Sequence, residues 1–177
     1  YVGTVDLNEK ESQLDILAHL DVVPAGEGWK ETEPFEPVVK GDKLFGRGTA
    51  DDKGPAVAAL YAMRAVKELG IPLKKNARLI LGTDEECGSS DIAHYYAIEK
   101  EAPMTFSPDG SYPVVNTEKG GLNGHFTASF APSDALPKLV SVEAGIKVNV
   151  VPGKARATVQ GIDVEVMEKA AEEVSGE

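Results

Sequence analysis

Hydrophobic residues come in short blocks whose period changes along the chain. Tyr1 to Asp6 is a brief apolar stretch, and Asp15 to Val23, DILAHLDVV, holds too many aliphatic residues for a half-exposed strand and predicts a buried one. The Pro- and Gly-dense run that follows predicts a loop. It leads into VVKGDKLFG, which has the shape of a hairpin turning at Gly41-Asp42. From Pro55 to Leu69 the period becomes helical: Val57, Leu60, Tyr61, Ala65, Val66 and Leu69 fall on turns of one helix. Gly54 and Pro55 suit its start, and Gly70 and Pro72 its stop. ARLILGTDEE reads as a second buried strand entering an acidic loop. A helix from Asp91 to about Lys100 follows, opened by Ser89, Ser90 or Asp91. Thr105 to Ser107 is a short third core strand broken by Pro108.

Strands alternating with helices predict an α/β fold, a mixed and largely parallel sheet with flanking helices, whose sites lie beyond the carboxyl ends of the strands. After Lys119 the texture shifts. GGLNGHFTASF, KLVSVEAG and KARATVQGI predict alternating strands, and Ile162 begins a helix. We therefore expect a first unit over 1–119 and the start of a smaller α+β unit over 120–177.

Composition narrows the partners. Eighteen Lys and Arg against 29 Asp and Glu leave a net charge of −11 over 177 residues, which repels a nucleic-acid backbone and an anionic membrane surface alike. The single cysteine, Cys87, permits no internal disulfide, and no apolar run approaches the ~20 residues needed to cross a bilayer. A reducing, cytoplasmic location is the expectation. The opening at Tyr1 and the helical-looking end at VSGE lead us to expect a piece of a longer chain.

The ends of the apolar blocks carry the candidate chemistry: His19 and Asp21, then Asp51 and Asp52 just before the helix, then Asp84, Glu85 and Glu86, then Asp109. An imidazole with several carboxylates and no thiolate suits a catalytic divalent cation (zinc, manganese or cobalt) better than a structural zinc site. Strand alternation sends His19 and Asp21 to one face, where the carboxylate can fix the imidazole tautomer. Neighbouring Glu85 and Glu86 point different ways and can divide metal binding from proton transfer. Each signal alone has a plainer reading: a surface histidine beside a turn aspartate, Asp51 as a helix N-cap, and Glu85-Glu86 as a solvated acidic loop. His94 in a helix and His125 in a strand fit ordinary packed or surface roles. Cys87 lacks a neighbour that would activate it, and neither a GxSxG elbow nor a phosphate-binding loop is present.

The motifs LAHLDVVP, GRGTADDKG, GTDEECGS and FSPDG, in this order, resemble the two-metal aminoacylase and carboxypeptidase-G family of metallopeptidases, nearest to its Xaa-His dipeptidase or carnosinase-like branch. The resemblance runs from about residue 14 to residue 160. It implies a zinc-dependent exopeptidase with two zinc ions, or manganese or cobalt in their place, acting on dipeptides. His19 would bind one metal with Asp21 orienting it, Asp51 would bridge both metals, and the Asp51-Asp52 peptide would be cis. Glu85 would be the general base, Glu86 a ligand of the other metal, and Asp109 a ligand of the metal that His19 binds. An aspartate at position 109, where other branches carry glutamate, favours the dipeptidase side.

KVNVVPGKA resembles a lid stretch whose asparagine contacts substrate, which makes Asn149 a candidate recognition residue; a turn asparagine fits equally. The family also uses a late histidine ligand and a lid histidine, and no histidine follows His125 here. The resemblance thus implies that these 177 residues alone bind metal poorly and have little or no activity. The competing readings are an N-acyl amino acid deacylase or desuccinylase on the same scaffold, and a non-catalytic metal-binding remnant. Monomer and homodimer both remain open for the full-length protein.

Overall fold

The computed structural model describes residues 1–148 and 150–175. The chain divides into two compact units, Tyr1–Thr117 and Glu118–Glu177. In the first unit, β1 (Gly3–Asp6), β2 (Ser12–His19), β3 (Val38–Lys40), β4 (Lys43–Phe45), helix α1 (Lys53–Glu68), β5 (Asn76–Gly82), helix α2 (Ser90–Ile98) and β6 (Met104–Phe106) follow one another. The main sheet has the order β1-β5-β2-β6. β2 runs parallel to both its neighbours, and β1 is antiparallel to β5. This is the mixed, mostly parallel α/β architecture that the alternating periods predict.

Strand β2 lies at the centre, and its two faces do different work. Ile16 and Ala18 join Leu79, Ala56 and Met63 in the hydrophobic core, so this face packs under α1. Asp15, Leu17 and His19 point the other way by strand alternation, and their register partners on β5 are Arg78, Ile80 and Gly82. Helix α2 belongs to that side, since Tyr96 reaches Asp15. From β2 the chain crosses to β5 on one side, then returns past β2 to β6 on the other. The carboxyl end of β2 is therefore the topological switch point, where parallel sheets open a crevice.

The hairpin forms as expected, with β3 paired to β4 and Gly41 at a φ of 63° in the turn, a left-handed conformation that glycine adopts without steric cost. Two boundaries move. β2 stops at His19, short of Val23, because the side chains and amides beyond it are drawn to the acidic loop after β5. Helix α1 begins at Lys53, two residues before Pro55.

The second unit holds an antiparallel pair, β7 (Lys138–Ala144) and β8 (Ala155–Gln160), and helix α3 (Val164–Ser175). The strand expected over GGLNGHFTASF does not form, so His125 lies in irregular chain. Alternation marks a face that could be half buried, but a strand also needs an edge to bond to. Among the described residues β7 and β8 pair only with each other, and Leu122, Phe126 and Phe130 stay exposed. No helix among the described residues is long and apolar enough to cross a membrane.

Candidate metal centre

His19, the last residue of β2, is almost wholly buried, at 3% exposure. Its ring is held from both sides. Nδ1 lies 3.1 Å from the Asp21 carbonyl oxygen and 3.3 Å from Asp21 Oδ1. Nε2 lies 2.9 Å from Asp51 Oδ1 and 3.3 Å from Asp109 Oδ2. With the proton of the neutral ring on Nδ1, donated to Asp21, Nε2 is left to take a proton or a cation between itself and the two carboxylates. The donor atoms of His19, Asp51 and Asp109 all lie within 4.8 Å of one another.

Local structure explains the convergence. Asp51 sits in the turn entering α1, and the Asp51-Asp52 peptide is cis, as the resemblance implied. Asp52 occupies the N-cap position of α1, but its side chain does not cap the helix. Its Oδ2 instead accepts a hydrogen bond from the His19 backbone N–H at 3.1 Å. The turn that carries Asp51 is thereby tied to the strand end that carries His19. Lys53 reinforces the tie by donating from Nζ to the Leu20 carbonyl at 2.6 Å. Asp109 arrives from the segment after β6, where its N–H is held by Ser107 Oγ at 3.1 Å.

The acidic loop after β5 forms a single 3-10 turn, Glu85–Cys87. Asp21 organises this turn too: its carboxylate oxygens accept from the N–H groups of Glu85 at 3.3 Å and Glu86 at 3.1 Å. Glu86 lies outside the 4.8 Å triad, and its Oε1 accepts from the Val23 N–H at 3.2 Å. Asp84 serves α2, accepting from the Ser90 N–H at 3.0 Å. Glu85 is exposed yet close enough to His19 and Asp109 to respond to their charges. Asn149 lies outside the described residues.

Sequence reasoning grouped Asp52 with Asp51 but gave it no task. Its carboxylate has no exposed surface, and Oδ1 has no hydrogen-bond partner. Burial raises its pKa, outweighing the His19 N–H that favours the anion, and the neighbouring Asp109 and Asp51 charges add to the rise. An adjacent pair of acids before a helix was the available signal, but nothing in the pattern distinguishes the exposed member from the buried one.

Burial alone would lower the pKa of His19, but Asp109, Asp51 and Asp21 outweigh it and raise the value above the ordinary 6.5. The triad therefore favours a positive charge at Nε2. One imidazole and two carboxylates, with Asp21 fixing the far ring nitrogen, suit a divalent cation such as zinc, manganese or cobalt. A cation at Nε2 must displace the competing proton. Affinity for Zn²⁺ is thus expected to fall about tenfold per pH unit below the raised His19 value. Titration calorimetry in buffers of different ionisation enthalpy should record proton release in that range, and a pH-independent affinity would contradict the assignment. In metal-free protein the sign is opposite: the raised pKa adds stability that is fully present below pH 6.5 and lost as pH rises through the folded-state value.

A model of "Peptidase family M20/M25/M40" matches residues 16–177. A Beta-Ala-Xaa dipeptidase of Lactobacillus delbrueckii subsp. lactis is 40% identical over 175 residues, covering 97% of this chain and 37% of that protein. The crystal structure of human carnosine dipeptidase 1 superposes with a TM-score of 0.54 at 30% identity, over 63% of this chain and 26% of that one. An M20 family metallo-carboxypeptidase, Sso-CP2 from Sulfolobus solfataricus, superposes with a TM-score of 0.53 at 26% identity, over 62% of this chain and 26% of its own. The chain spans about a third of the length of the curated relatives it matches, 37% for the Lactobacillus dipeptidase.

Proposed function

Because this chain belongs to peptidase family M20/M25/M40 and gathers His19, Asp51 and Asp109 at the switch point of its sheet, we propose that it forms the cation-binding and proton-transfer part of a dipeptidase. The observation that carries the reading is this meeting of donors from the end of β2, the turn before α1 and the segment after β6. A likeness at 40% identity to a Beta-Ala-Xaa dipeptidase supports a dipeptide as the substrate.

In this reading His19, Asp51 and Asp109 would hold one divalent cation, zinc first, and Asp51 with Glu86 would hold a second. A cation there supplies Lewis acidity, polarising a carbonyl and lowering the pKa of water to roughly 7. Asp21 keeps the imidazole proton on Nδ1, so that Nε2 stays available as a donor atom. Glu85, displayed on the turn that Asp21 anchors, accepts the proton of the attacking water on its carboxylate and delivers it to the departing amine nitrogen. Asp52 binds the His19 backbone and fixes the Asp51 turn without touching substrate. Asn149, in the unit taken as 120–177, recognises the substrate, while the 1–119 unit carries the chemistry. The protein acts in the cytoplasm.

The test is hydrolysis of a dipeptide panel against N-acyl amino acids by the whole protein, before and after chelation. Dipeptide cleavage that is lost with chelator and restored by Zn²⁺ is the expected result. Cleavage of only the N-acyl amino acids would overturn the substrate assignment, and activity indifferent to chelator would overturn the metal.

A further inference from the structure

Besides Asp52, one other buried acid, Asp15 on β2, takes no part in the chemistry above. Asp15 has no exposed surface although it lies in the middle of a core strand. Its Oδ1 accepts from Arg78 Nε at 3.1 Å. Its Oδ2 accepts from the Ala102 N–H at 3.0 Å, the Tyr96 hydroxyl at 3.2 Å and Arg78 Nη2 at 3.4 Å. The same Arg78 nitrogen donates to the Lys100 carbonyl at 3.0 Å. Three tethers thus fall on one stretch, residues 96–102, which leads straight into β6.

Strand β6 has little else to fix it. It pairs with β2 at only three positions, Leu14–Met104, Asp15–Thr105 and Ile16–Phe106, and Met104 and Phe106 are 53% and 48% exposed. A short strand with no buried face has a weakly specified register, and a slip of one residue would turn its side chains over. Beyond β6 the chain delivers Asp109 to His19. Asp15 stands four residues before His19 on the same face of β2, about 13 Å up the strand at ~3.3 Å per residue. The point where β6 is pinned and the point where Asp109 must arrive are therefore set by one strand.

We propose that Asp15, with Arg78 and Tyr96, is a positioning residue that fixes the register of β6 and so places Asp109 against His19. This rests on the reading of Asp109 as a cation ligand. The state of the network agrees with it. Burial, the Asp15 charge and its hydrogen bond push the Tyr96 phenol up to about 12, so the hydroxyl stays a donor. Burial opposes the Arg78 charge, but Asp15 more than compensates and holds the guanidinium above its usual value. Four donors converge on one carboxylate, and an asparagine side chain would turn an amide N–H₂ toward some of them.

The test is a double-mutant cycle in the whole protein, read by Zn²⁺ affinity and by amide hydrogen exchange. Asp15→Asn is expected to raise exchange over residues 100–109 while β5 keeps its protection, and to weaken Zn²⁺ binding about tenfold, as loss of a supporting partner does. The double variant Asp15→Asn/Asp109→Asn should lose in total no more affinity than Asp109→Asn alone, because both changes remove one contribution. If Asp15→Asn does not fold, Tyr96→Phe should give a smaller change of the same kind in the same segment. Losses that multiply, or exchange that rises evenly across the sheet, would show that Asp15 only stabilises the core and overturn the proposal. Unchanged Zn²⁺ affinity in Asp109→Asn alone would instead overturn the ligand reading, and with it the role given to Asp15.

Discussion

Replacing Glu85 with Gln is expected to lower turnover by a factor on the order of 10² to 10⁴ while leaving Zn²⁺ affinity nearly unchanged. The two effects separate because Glu85 is not in the His19, Asp51 and Asp109 cluster. It stands on the 3-10 turn after β5, and its backbone N–H, not its side chain, is bound by Asp21. Glutamine has nearly the same shape and leaves that hydrogen bond intact, but its amide cannot accept a proton from water or return it to an amine. In the metal-free protein, partial burial of the carboxylate raises the Glu85 pKa first, a positive His19 ring opposes the shift, and Asp109, Glu86 and Asp21 raise it further. Steady-state kinetics with metal content measured on the same samples checks the prediction. Turnover within a few fold of the parent would show that another group moves the proton. A parallel loss of zinc would show that Glu85 is a ligand.

The sequence made the central elements legible because each carries an undiluted period. β2 and β5 are aliphatic enough to be buried on both faces, and α1 lies between a Gly-Pro start and a Gly stop, although it packs through Ala56 and Met63 while Val57, Leu60, Tyr61 and Leu69 of the expected period are exposed. Polar residues beyond strand ends nominated His19 and Asp109, since parallel strands bring those ends to one edge, and the acidic turn before α1 nominated Asp51. What stayed hidden depends on partners distant in the chain. Asp15 reads as a polar interruption in an apolar run, and only its pairing with Arg78 on β5 and with the segment before β6 explains a buried charge there. Asp52 reads only as the neighbour of Asp51 until its carboxylate is seen to hold the His19 amide. The segment containing His125 shows the opposite error: its alternation is genuine, but no strand among the described residues lies beside it.

Gly54 is where an ordinary stability rule is expected to reverse. In an exposed first turn, Gly→Ala usually helps a helix by about 1 kcal/mol, because alanine loses less backbone freedom. Here a Cβ at Gly54 would overlap the Thr49 carbonyl oxygen and lie 3.3 Å from its carbon. Both are backbone atoms, so no side-chain rotation relieves the overlap. The chain between them is the turn that carries Asp51 and Asp52, closed by the hydrogen bond from the Lys53 N–H to the Gly48 carbonyl at 3.1 Å. Overpacking of this kind costs roughly 1–3 kcal/mol, which exceeds the helix gain. The relief available is to push the Thr49–Asp52 turn outward, which pulls Asp51 from His19 Nε2 and Asp52 from the His19 N–H. Gly54→Ala is therefore expected to lower Tm and to weaken Zn²⁺ binding at least about tenfold, whereas Gly120→Ala, with nothing within 4 Å of the added carbon, should change neither. Thermal denaturation and Zn²⁺ titration of the two variants side by side decide the matter. A Gly54→Ala protein that is more stable and binds zinc normally would mean that the turn can move without carrying Asp51 with it, and that the close approach of α1 to Thr49 does not hold the metal centre in place.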